Sequence, residues 1–98
     1  MNEEQFSRTL QSVGQMCFVR FFGAFSSTIL SREDVIEKLK SETDYTEASC
    51  ISRTGHARRI IREGLSKRAL ETVIASDSPM VSEDTRAQAG QWLKQLNT

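Results

Sequence analysis

The run CFVRFFGAF at positions 17–25 limits the fold more than any other stretch. At about 100° per residue it places apolar side chains around most of a helix, with Arg20 as the interruption. Such a helix has to be covered on several sides. Phe6, Leu10, Val13, Cys17, Phe21 and Ala24 recur every three or four residues, and Phe18, Phe22 and Phe25 form a second stripe beside them. The spacing predicts one helix over about 3–26, with Glu3 and Glu4 suited to its N-terminus. With 98 residues and 38% apolar content, the chain has material for one domain and a modest core. That leaves little protein to wrap the first helix. A homodimer through Phe18, Phe22 and Phe25 is therefore expected, with a monomeric bundle as the alternative.

The rest of the chain is also helical in pattern, and no segment alternates as a strand would. Ser31, followed by Glu33 and Asp34, caps a second helix that ends near Glu42 and buries Val35, Ile36 and Leu39. A third runs from an N-cap at Asp44 or Thr46 to a C-cap at Gly64. Ser66 is expected to cap a fourth, to about Ala75, with Ala69, Leu70, Val73 and Ile74 inward. The stretch around Pro79 is a turn followed by extended chain. Ser82 opens a fifth helix that buries Ala89, Trp92, Leu93 and Leu96, with Trp92 as a core anchor. The expected fold is all-α: residues 1–98 as one compact bundle of about five helices. The second and third form a pair resembling a helix-turn-helix in outline.

Charge sharpens the functional question. Basic and acidic residues balance at 13 each. Six of the basic ones fall between positions 47 and 68 (Arg53, Arg58, Arg59, Arg62, Lys67 and Arg68), against Glu47 and Glu63. On the third helix Cys50, Thr54, Ala57, Ile60 and Ile61 share one side. Arg58, Arg59 and Arg62 lie on the other, with Gly55 between them. Guanidinium groups bind phosphate through a planar fork of donors. The leading expectation is a small, regulatory DNA-binding protein. Arg58, Arg59 and Arg62 would contact phosphates, extended by Lys67 and Arg68, with Ser49, Ser52 and His56 as secondary contacts. The rival is a non-enzymatic protein-interaction module, an adaptor or inhibitor, whose arginines and Phe-rich first helix meet an acidic protein partner. The neutral net charge favours the rival. Arg53 falls within the apolar sector of its helix. It reads as structural, snorkelling out or pairing with a carboxylate of the second helix.

Little points to catalysis. His56 is the lone histidine, and Cys50 lies six residues before it, about 120° away around the helix, so the two form no local nucleophile pair. Cys17 and Cys50 read as buried thiols in a reducing compartment. No metal-ligand spacing is present, and no cofactor is expected. The acidic start MNEEQ lacks the basic lead of a secretory signal. The apolar run from Met16 is too short to cross a bilayer. A cytoplasmic location with no membrane partner is expected.

Overall fold

Gly14 decides how the first quarter of the chain folds. In the computed structural model, which describes residues 1–97, Gly14 takes φ +88° and ψ 130°, a conformation open to glycine and strained for other residues. The expected single helix is therefore three: α1 (Glu3–Val13), α2 (Gln15–Arg20) and α3 (Phe22–Phe25), the second break falling at Phe21. Length supplies the reason. A straight helix over 3–26 would be about 36 Å long at 1.5 Å per residue, whereas the longest Cα dimension of the molecule is 30 Å. Breaking the helix folds its apolar second half back into the core.

Four further helices follow: α4 (Arg32–Glu42), α5 (Glu47–Arg62), α6 (Ser66–Ile74) and α7 (Glu83–Leu96). Helix is the only regular structure among the described residues, so the fold is all-α with seven helices rather than five. Ser31 caps α4 in a reciprocal box, accepting from Asp34 N while Asp34 Oδ2 accepts from Ser31 N, both at 3.1 Å. Thr46, and not Asp44, caps α5 by accepting from Ser49 N. That helix closes at Gly64 (φ +76°). Gly64 N donates to Ile61 O and Leu65 N to Ile60 O, each at 3.0 Å, the double bond that ends helices at glycine. Leu65 then occupies the N-cap of α6, and its carbonyl accepts from Ala69 N. Ser66 thus becomes the first helical residue instead of the cap. Ser82 caps α7, accepting from Thr85 N.

The core answers the question raised by the phenylalanines. Phe18, Phe22 and Phe25 are 0%, 3% and 2% exposed within one chain. Their rings stack and tilt at centroid distances of 5.5 Å (Phe18–Phe22) and 6.5 Å (Phe18–Phe25), and Phe22 meets Trp92 at 5.2 Å. Trp92 Nε1 donates to Val19 O at 3.1 Å, which ties α7 to α2. The shortage of covering protein that argued for a dimer through these three rings is absent. α1 lies along α5, α4 also packs on α5, and α7 lies along α6. Two expected core positions are outside it: Ile74 and Leu96, each at the last residue of its helix, are 37% and 46% exposed.

Arginines tie these helices together through backbone carbonyls. Arg53 Nη1 donates to Val13 O (2.6 Å), Arg58 Nη2 to Leu30 O (2.8 Å) and Arg20 Nη2 to Glu42 O (3.1 Å). Arg86 donates through Nε and Nη2 to Ser76 O. Val13 and Glu42 end α1 and α4, where the last carbonyls lack helical partners and the dipole favours a cation.

Candidate functional site

The residues expected to form one basic surface are engaged in different ways in the fold. Arg58 donates through Nη2 to Leu30 O, and its Nε is buried without a partner among the described residues. Arg59 Nε donates to Glu63 Oε2 at 2.9 Å, while the Met1 ammonium donates to Glu63 Oε1 at 3.2 Å. The hydrogen bond from Arg59, followed by that from the ammonium, holds the Glu63 carboxyl below its ordinary range. Arg68 pairs with Glu3 and lies over the Phe6 ring, 4.3 Å from its centroid. Arg62 and Lys67 are exposed. Ser52 is exposed and His56 half-buried on α5.

A different set of side chains converges where α1 breaks into α2. A groove of about 650 Å³ opens there, lined by Gln11, Gly14, Gln15, Met16, Cys17, Tyr45, Arg53, Ser78, Met80 and Val81. Its size falls in the range of small-ligand sites. Arg53 is the charged residue of its lining. Besides Val13 O it donates through Nε to Ser49 Oγ at 2.8 Å, and its guanidinium carbon sits 3.8 Å from the centroid of the Tyr45 ring. It presses against Gly14 so closely that a Cβ there would lie 2.9 Å from Nη1. The sequence predicts that Arg53 snorkels out or pairs with a carboxylate of the second helix; its acceptors are a carbonyl and a hydroxyl instead. Among the described residues no acid neutralises it.

The groove's other polar groups are neutral. Burial pushes the Cys17 thiol up, against the opposing pull of Arg53, and burial likewise raises the Tyr45 phenol. Both keep their protons at neutral pH and present donors, not nucleophiles. Cys50, fully buried on α5, is raised by burial too. Both cysteines are free thiols, as expected. Ellman's reagent should modify them in the native protein at least about ten-fold more slowly than in urea. Equal rates would show that Cys17 is open to solvent through the groove. The rim is apolar and soft: Met16 is 47% and Met80 76% exposed. A smaller cleft of about 170 Å³ shares Met16, Cys17 and Tyr45 and adds Arg20, Asp84 and Gln88.

No protein-family model matches the chain, and no curated protein or solved structure matches it. The functional reading therefore rests on the chemistry of the groove. Among the described residues no cluster of His, Cys, Asp and Glu is arranged to hold a metal ion. No helix is long and apolar enough to cross a membrane. The groove draws on α1, α2, the 43–46 connection, α5 and the 75–82 segment, so no local motif announces it. Two signals were present nonetheless: a glycine, Gly14, within the apolar spacing of the first helix and an arginine, Arg53, within an apolar sector.

Proposed function

We propose that this chain is a small, non-enzymatic protein-interaction module that receives part of its partner in the groove beside Arg53. One observation carries the reading: an arginine without an acidic partner among the described residues lies in a groove rimmed by the exposed Met16 and Met80. Methionine rims suit binding surfaces, because the unbranched thioether adapts to the shape it meets. A half-buried guanidinium calls for an anionic complement. With thiol and phenol both protonated, the groove is better furnished for binding than for covalent chemistry.

The DNA reading, with α4 and α5 as a helix-turn-helix-like pair, draws support from Arg62 and Lys67, which are exposed. Arg58, Arg59 and Arg68 are bonded within the chain. Two cations neutralise about two phosphates, whereas steeply salt-dependent binders contact about 6–10.

Affinity selection from random dodecapeptides with free C-termini, read by mass spectrometry, tests the proposal. Retained peptides should bind wild type and lose at least about ten-fold in affinity on the Met16→Ala/Met80→Ala double variant. Failure to retain any peptide, together with duplex DNA bound at low salt and released by Arg62→Ala/Lys67→Ala, would replace this reading with the DNA one.

A further inference from the structure

We infer that the groove captures the C-terminal residue of its partner chain, with the free carboxylate on Arg53 and the last side chain between Met16 and Met80. The inference rests on the protein-interaction reading and names what that surface recognises. Ser49 Oγ and Val13 O take up Nε and Nη1 of Arg53, and the Cys17 thiol lies within hydrogen-bond reach of the same guanidinium, so its acceptors are all neutral. A guanidinium fixed by two bonds and a ring at 3.8 Å loses little further freedom when a carboxylate arrives. Its charge is already partly withdrawn from water and lacks a carboxylate among the described residues, so an anion is the fitting complement.

Gln15 favours a chain terminus over an acidic side chain. Its Oε1 is buried and accepts no hydrogen bond among the described residues. It follows Gly14, the residue Arg53 rests against. A buried acceptor without a donor is costly, so the amide gains by turning toward an N–H that a ligand brings. A C-terminal residue supplies the carboxylate, an amide N–H and a side chain from one Cα. An internal Glu or Asp sets its carboxylate one or two methylenes away from the backbone N–H and has no separate apolar group for the groove. The wall of Met16, Met80 and Val81 then selects an apolar last residue.

The test uses fluorescent hexapeptides ending in Leu, Val, Ile or Phe, each made with a free and with an amidated C-terminus. Their polarisation is followed on the full chain, and amide shifts of Gly14, Gln15 and Cys17 locate the site. The free acids should bind roughly ten- to a hundred-fold more tightly than the amides. Arg53→Met, checked for native helicity, should bring that ratio toward one. A loss of packing alone would weaken both forms equally and leave the ratio intact. Because the free-to-amide comparison on wild type needs no variant, it stands even if Arg53→Met unfolds. Equal binding of both forms at the groove overturns the terminal-carboxylate inference and leaves the interaction reading standing. So does tight binding of an amidated peptide carrying an internal Glu. The absence of groove shifts with any peptide overturns both.

Discussion

Replacing Phe18 by Ala is expected to lower the free energy of unfolding by about 3–5 kcal/mol. The ring is fully buried among Phe22 and Phe25, with Trp92 behind Phe22. Its loss leaves a void against Phe22 and Phe25. Small domains are stable by only about 5–15 kcal/mol, so this single change removes a large share. The same experiment addresses the dimer. If one chain covers its own phenylalanines, the urea midpoints of wild type and variant should not move with protein concentration. A midpoint that rises with concentration in wild type and not in the variant would put Phe18 at an association surface.

The second large effect is expected at Gly14. Alanine there must hold φ near +88°, at a cost of about 1–3 kcal/mol. Its Cβ would also lie 2.9 Å from Arg53 Nη1, so the guanidinium has to shift and its bond to Val13 O weakens. Gly14→Ala should therefore lower Tm by about 4–8 °C per kcal/mol lost, and weaken peptide binding at the groove as well. Gly55→Ala is the matched control. Gly55 lies within α5, and nothing stands within 4 Å of an added Cβ. That change should stabilise by up to about 1 kcal/mol. A Gly14→Ala protein as stable as wild type would mean that the α1–α2 break does not depend on glycine.

Reading helices from the sequence worked where local chemistry sets the boundary. Ser31, Thr46, Gly64 and Ser82 end or begin helices through bonds made within a few residues, so their signals are local. The break at Gly14 was hidden because the apolar spacing runs through it: Val13, Cys17 and Phe21 keep a four-residue step, and all three are buried despite the bend. Burial was legible there and direction was not. The intrachain bonds of the basic residues were hidden for another reason. A helical wheel gives the side from which Arg58 leaves α5, but a long side chain chooses its acceptor from the surroundings, and Leu30 O is 28 residues away in sequence. Ser66 shows a smaller version of the same limit, since the cap it was assigned had been displaced by the way α5 closes. The groove depends on contacts between distant segments, which no window of sequence displays.

The arginine ties to Val13, Leu30, Glu42 and Ser76 carry a consequence for how the molecule responds to acid. Glu63, paired with Arg59 and with the Met1 ammonium, has a carboxyl held below its ordinary range by those hydrogen bonds, and it takes up a proton only when the pH falls further than usual. A peptide carbonyl does not titrate, and a guanidinium stays charged throughout the accessible range. Strong acid therefore weakens the Glu63 pairs while leaving the arginine-to-carbonyl bonds chemically unchanged. Four of the long-range polar ties of this protein are thus built from groups that proton concentration cannot switch.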